Sequence, residues 1–169
     1  MADSLGVKVF CRGHHLSLEL KQKKREEFKR VAVFPCKLRI MPQHIFNSRG
    51  PIVVGVVVEA GVVKKDPSDR PESGGQYHCA FLDVGFVTGI EANHKQLTEA
   101  RKGMEVCIKI ESTPGEAPKM YGRHFDHTDL LVSKISRESI DAVKEYFRED
   151  LQKSDWQLMI ELKKTFEII

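Results

Sequence analysis

From residue 31 onward, apolar side chains alternate with polar ones in short runs. In AVFPCKLRIM, residues 32–41, the apolar positions are Val33, Cys36, Leu38 and Ile40. Pro35 sits near the start, where a missing N–H is tolerated. PQHIFNSRGP, residues 42–51, reads as a turn-rich link. IVVGVVVEAG, residues 52–61, is β-branched and almost unbroken, as a strand buried on both faces is. Gly55 in its middle predicts a bulge or a sharp bend. KKDPSDRPESGG, residues 64–75, is loop by composition. QYHCAFLD reads as a short strand, VGFVTGIEA as a clearer one and NHKQLTEARKG as a polar loop, before MEVCIKIE alternates again. Short strands without intervening helices predict a small antiparallel barrel over residues 31–111, with an atypical loop at 64–83.

After residue 111 the period lengthens. STPGEAPKMYGRHF, residues 112–125, is a polar crossover. Asp126 or Thr128 offers a cap for a short helix through Leu130, Leu131 and Val132. Ser136 offers the next cap, ahead of Ile140, Val143, Phe147 and Leu151 at helical spacing. Ser154 and Gln157 match a capping box for a last helix. Trp156, Leu158, Met159, Ile160, Leu162 and Phe166 cover more than one stripe of that helix. It needs two apolar partners: the preceding helix, and either the barrel or another protein. Residues 112–169 thus form a helical extension. Residues 16–30 are good helix formers but polar over their middle, like the end of a connector helix, and residues 1–15 read as a disordered lead.

Charge narrows the partners. The net charge is +3. Residues 1–40 hold ten Lys/Arg against four Asp/Glu, and the remainder holds 17 against 20. A body that is net acidic lacks the broad basic face of a general nucleic-acid binder. No run is long and apolar enough to cross a bilayer, and no signal peptide is recognisable. Cys36 and Cys107 lie in strand-like runs and read as reduced thiols, so a cytosolic protein is expected. Neither Cys11, His14 and His15 nor His124 and His127 supply four metal ligands at accepted spacing. No G-x-x-x-x-G-K-[ST] loop and no nucleophile–base pair occur, so an enzyme is disfavoured.

The strings FPCKLRIMPQHIFNSRGPIVVGVVVEAG, VTGIEANHKQLTEARKGMEVCIKIE and PKMYGRHFDHTDLLVSKISRESIDAVKEYFREDLQKSDWQLMIELKKTFEII resemble the C-terminal domain (domain four) of eukaryotic translation initiation factor 5B. That factor is the relative of bacterial initiation factor 2. The resemblance covers residues 21–169 in one order. It implies an elongation-factor-type antiparallel β-barrel followed by two or three α-helices, with residues 21–30 ending the helix that joins the third and fourth domains. Full-length relatives bind GTP and magnesium; with no phosphate loop here, no cofactor is expected. Residues 66–83 depart from the family's compact strand, and residues 1–15 have no counterpart in the resemblance. With the GTPase domain also missing from the chain, a shortened paralogue or a fragmentary gene product is the expectation.

The resemblance also implies partners: initiator methionyl-tRNA, the tail of initiation factor 1A and the ribosome, with no membrane and a monomeric chain. By position, the tRNA acceptor end falls on Asn93, His94 and Lys95 and on Glu105, Val106 and Cys107. Lys95 and His94 would meet terminal phosphates, and Val106 and Cys107 would line a slot for methionine. Arg123 and His124 sit at the crossover, where an Arg–His pair is more often structural. On the last helix Trp156, Leu158, Leu162 and Phe166 would form a groove for the acidic, apolar factor 1A tail, with Lys163 and Lys164 as cations. The bland alternatives are solvated loop residues for the first set and plain helix packing for the last. A protein-interaction module without tRNA or ribosome function is the alternative overall.

Overall fold

A computed structural model describes residues 20–29, 31–65, 76–79 and 82–168. The expected disordered lead, the start of the connector helix and most of the 64–75 loop lie outside the described residues. Among the described residues eight strands form: β1 (Cys36–Asn47), β2 (Ile52–Lys64), β3 (Gln76–Cys79), β4 (Leu82–Ala92), β5 (Lys95–Leu97), β6 (Glu99–Arg101), β7 (Glu105–Glu111) and β8 (Leu130–Ser133). Helix α1 occupies residues 20–28; α2 (Arg137–Tyr146), a 3-10 turn (Arg148–Asp150) and α3 (Lys153–Thr165) close the chain.

All strand pairs are antiparallel, in the order β1–β8–β3–β4–β7–β2–β6, with β5 added to β4. β1 also pairs with β2, so six strands pair in a ring and the sheet wraps into a barrel. The alternation read from the sequence fills its interior. Cys36, Leu38 and Ile40 of β1, Val54, Val56 and Val58 of β2, and Val106, Ile108 and Ile110 of β7 are all buried. Gly55 earns its place opposite a bulge. Ile40 pairs with Val56 and Ile45 with Val54, so four β1 residues loop out over Gly55. A Cβ on Gly55 would lie 2.6 Å from His44 Cβ.

Four expectations change. The link at 42–51 is mostly strand: β1 runs through to Asn47, because Pro42 falls in the bulge, where no ladder N–H is needed. The polar loop at 93–103 contains β5 and β6, short outer strands whose polar side chains hide them from a hydrophobicity pattern. The short helix at 130–132 is strand β8, inserted between β1 and β3. Asp126 does accept the Thr128 N–H (2.7 Å) as expected of a cap, but the turn it makes leads into an extended segment. The last helix begins at Lys153, with the Asp155 carboxylate accepting the Gln152 N–H (2.9 Å), rather than at a Ser154–Gln157 box. Ser136 does cap α2: its hydroxyl accepts the Ser139 N–H (3.2 Å), and the Ser139 hydroxyl accepts the Ser136 N–H (2.9 Å).

A second core lies between the barrel and the helices. It joins Phe34 and Val62 to Ile140, Val143, Phe147, Leu151, Leu158, Met159 and Leu162. β2 is thus covered on both faces near its end, at Ala60 and Val62, whereas Val53 and Val57 on the outer face stay half-buried. Phe147 stands at the centre of the joint. Its ring meets Phe34 edge-on (5.6 Å, 72°), and Arg25 and Lys64 stand 5.2 and 5.9 Å from its centroid. Helix α1 docks beside it: Phe28 stacks on Tyr146 (4.6 Å, 13°) and Arg25 pairs with Asp150 (2.9 Å).

Candidate functional site

The β4–β5 turn carries the first set of predicted residues. Asn93 and His94 both take positive φ, 50° and 61°, between the paired residues Ala92 and Lys95. This is the two-residue hairpin geometry that matches strand twist, and among residues with a side chain Asn is one of the few that tolerate it. Backbone conformation therefore accounts for Asn93 on its own. His94 is fully solvated, with Nδ1 3.9 Å from a Glu91 carboxylate oxygen, and Lys95 is exposed.

β7 brings Cys107 opposite Glu91 of β4 and Gly55 of β2. Successive strand residues face opposite sides of a sheet. Val106, 2% exposed, points into the barrel, while Cys107 points outward, so the two do not line one slot. Cys107 instead joins Val53, Thr88, Glu91, Gln96 and Lys109 in an open cleft of about 230 Å³. Burial pushes its thiol pKa up and the Glu91 charge adds to this, so it is a neutral thiol rather than a reactive thiolate. On the same face Lys109 donates to Glu111 (2.7 Å) and holds that carboxyl below its ordinary range, with help from Thr88. Glu105, at the start of β7, is exposed.

Arg123 and His124 lie elsewhere. Their loop packs on the β1–β2 turn, where Tyr121 N–H donates to the Ser48 carbonyl (3.0 Å). That end of the barrel adjoins Glu111, whereas the hairpin adjoins Cys107 near the other end of β7; the strand's six steps span about 20 Å. His124 Nδ1 accepts the Met120 N–H (3.0 Å), a structural task, and Arg123 is exposed. The two halves of the predicted tRNA set are not brought together.

On α3, Leu158 and Leu162 are 4% and 3% exposed and packed in the core between barrel and helices. The second partner of this helix is the barrel. Trp156 and Phe166 are half-buried, and Lys163, Lys164 and Ile160 are exposed. Trp156 lines an open pocket of about 370 Å³ with Lys144 and Arg148 of the preceding helical segment. Neither cation makes an ion pair among the described residues, and neither stands out from sequence. Their i, i+4 spacing is the signal that would have found them.

Among the described residues no cluster of His, Cys, Asp or Glu could hold a metal, and no helix is long and apolar enough to cross a membrane.

The family described as elongation factor Tu domain 4 matches residues 34–132. The chain is 58% identical over 179 aligned residues to eukaryotic translation initiation factor 5B of Rattus norvegicus, covering 100% of this chain and 14% of the relative. It is 36% identical over 191 residues to the same factor of Schizosaccharomyces pombe, covering 100% of this chain and 17% of the relative. Residues 1–15 thus fall within aligned sequence after all. A crystal structure of GDP-bound aIF5B from Aeropyrum pernix superposes with a TM-score of 0.66 at 22% identity, over 96% of this chain and 25% of that one. The chain spans about one seventh of the length of the rat relative, and that stretch holds no phosphate-loop motif. With more than half of its residues matched, this chain belongs to the elongation factor Tu domain 4 family, in the form found in the C-terminal region of translation initiation factor 5B.

Proposed function

We infer that this chain is a non-enzymatic module of translation initiation. It contacts the acceptor end of initiator methionyl-tRNA through the barrel and the C-terminal tail of initiation factor 1A through the helical extension, in ribosomal subunit joining. The observation that carries this reading is the 58% identity to initiation factor 5B along the whole chain. For tRNA, support comes from Lys95 at an exposed hairpin tip and from the cleft at Cys107 beside it. For the tail, support comes from Trp156 flanked by Lys144 and Arg148, with Lys163 and Lys164 further along α3. Leu158 and Leu162 underlie that surface rather than line it.

A titration with methionyl and uncharged initiator tRNA tests the first contact. Lys95→Ala should weaken the methionyl form and leave tRNA lacking its 3′ end nearly unchanged. Equal losses would reduce Lys95 to a general phosphate contact. Titrating the factor 1A tail peptide tests the second. Burying an aromatic anchor is worth about 1.5–3 kcal/mol, whereas an exposed ion pair adds at most about 1 kcal/mol. Trp156→Ala should therefore cost more than Lys163→Ala, with circular dichroism confirming the fold of each. A costlier lysine change would make the contact mainly electrostatic.

The alternative, a protein-interaction module alone, is favoured by one observation: the predicted tRNA residues are split between two ends of the barrel. Retention of factor 1A without tRNA or ribosomes in a pull-down would select it.

A further inference from the structure

The outer face of the barrel carries an aromatic ring that the fold does not use. Phe46 is 64% exposed and is the only aromatic among the exposed large apolar side chains of the described residues. Its neighbours Gln43, His44, Asn47, Ser48 and Arg49 are polar and exposed. The backbone that carries it is nevertheless anchored on both sides. Ile45 packs against the barrel core, and the Asn47 side-chain amide donates to the Pro51 carbonyl (2.8 Å). The His44 ring lies 6.4 Å away and tilted by 38°, so it flanks the phenyl without stacking on it.

Val53 connects this ring to the cleft. The β1–β2 register slips between Ile45↔Val54 and Asn47↔Val53, which sets Phe46 and Asn47 together opposite Val53. On its other side Val53 pairs with Lys109, and it lines the cleft with Thr88, Gln96 and Cys107. Two strand spacings, about 10 Å, separate β1 from β7. An open aromatic face thus stands beside a small cleft with an amide, a hydroxyl and an amine in its wall.

We propose that Phe46 is a stacking platform for an unpaired RNA base whose neighbouring nucleotide lies in this cleft. The proposal rests on the reading of the barrel as an acceptor-end contact, and it supplies the aromatic surface which that set of residues lacks. A single ring suffices for a base, since every base has a π-face. A protein partner needs a contiguous apolar patch of several hundred Å², and polar residues surround Phe46 on its strand. Residues 41–58 contain no carboxylate, so a phosphate along this part of β1 and β2 meets no local repulsion, and Arg49 is exposed nearby. The far wall is close to neutral, because Lys65 and Glu91 both line the cleft and Lys109 is paired with Glu111. Stacking rather than charge therefore carries the affinity, and the salt dependence is shallow.

The experiment titrates a labelled single-stranded oligonucleotide, with the sequence of the initiator tRNA 3′ end, into the full chain and into Phe46→Ala, Phe46→Trp and Lys95→Ala. Circular dichroism checks each fold. Phe46→Ala should weaken binding roughly tenfold or more. Phe46→Trp should keep the affinity, and oligonucleotide should quench its added emission beyond any change of Trp156 in the unmodified chain. If Phe46→Ala binds within about twofold of the unmodified chain, or the Phe46→Trp emission does not respond to bound oligonucleotide, the platform is wrong and the acceptor-end reading stands on Lys95. If the unmodified chain binds neither oligonucleotide nor methionyl-tRNA, the acceptor-end reading falls and takes the platform with it.

Discussion

Replacing Phe147 tests whether the helical extension is locked to the barrel. The ring is 5% exposed and touches three parts of the chain: Phe34 before β1, Arg25 on α1 and Lys64 at the end of β2. An aromatic side chain buries about 150–250 Å², which at about 25 cal/mol per Å² is worth about 4–6 kcal/mol. The alanine methyl keeps part of that, and measured Phe→Ala costs in cores fall at about 3–5 kcal/mol. The edge-to-face contact with Phe34 accounts for about 0.5–1.5 kcal/mol. Phe147→Ala should therefore lower the unfolding free energy by about 4 kcal/mol, a large part of the total stability of a domain this size. Phe147→Leu keeps most of the volume and should cost about 1–2 kcal/mol. Urea unfolding followed by circular dichroism reads both, and a cycle with Phe34→Leu isolates the ring contact. A cost below about 1.5 kcal/mol for alanine, or no coupling in the cycle, would mean that the extension is not fixed to the barrel through this residue.

Gly61 takes φ +80°, and a Cβ there would sit 1.9 Å from the Pro35 carbonyl oxygen; Gly61→Ala should break the start of the β1–β2 ladder, and normal soluble yield with unchanged melting would contradict the register. Lys64 is held below the ordinary lysine pKa chiefly by burial, against Glu99 and Asp150, which favour its charge. At neutral pH the folded state thus holds this proton less tightly than the unfolded state does, which costs stability; the cost is relieved as pH rises through the lowered folded value toward that of free lysine. Relative to Lys64→Met, the unmodified chain should gain stability over that alkaline window, and parallel pH profiles would remove the burial argument. Labelled GTP should show no saturable binding to the chain, since no Gly-rich phosphate loop is present.

Legibility in the sequence followed burial. Leu38, Ile40, Ile108 and Ile110 were readable because one face of each strand is apolar and the period is two, and Val54 and Val56 because their run is β-branched and almost unbroken. β5, β6 and β8 were not. β5 and β6 are three residues long and largely polar, with a single apolar side chain each, Leu97 and Ala100, turned to the core, too few to make a pattern. LLVS has no period in four residues; it is a strand because β1 and β3 leave it a slot, a fact of topology that no local pattern carries. The geometry of the candidate site was hidden for a related reason. Val106 and Cys107 are neighbours in a strand, so their side chains face opposite sides of the sheet, and Arg123 lies at the other end of the barrel from Lys95. The pocket cations Lys144, on α2, and Arg148, on the 3-10 turn after it, carry no apolar signal, and only their spacing of four marks them.

The surplus of apolar residues on α3 left two partners open, the barrel or another protein. The sequence held the means to choose between them in a different place. IVVGVVVEAG reads as a strand buried on both faces, yet a barrel wall has only one interior. The outer face of β2 needed a cover, and α3 needed a second surface. Each excess accounts for the other: Val62 and Ala60 pack with Leu158, Met159 and Leu162. With those leucines committed inward, the part of α3 left for a partner is narrower than its composition suggests. It comprises the half-buried Trp156, with Lys144 and Arg148 across the pocket, the exposed Ile160, and the lysines of the last turn. A tail peptide binding there would meet one aromatic anchor and a rim of cations rather than a deep apolar groove. Leu162→Ala should accordingly lower stability by about 2–5 kcal/mol, as core truncations do, while under conditions where it stays folded its tail affinity changes less than that of Trp156→Ala. The reverse order, with Leu162 governing binding and not stability, would mean that α3 lifts from the barrel to receive its partner.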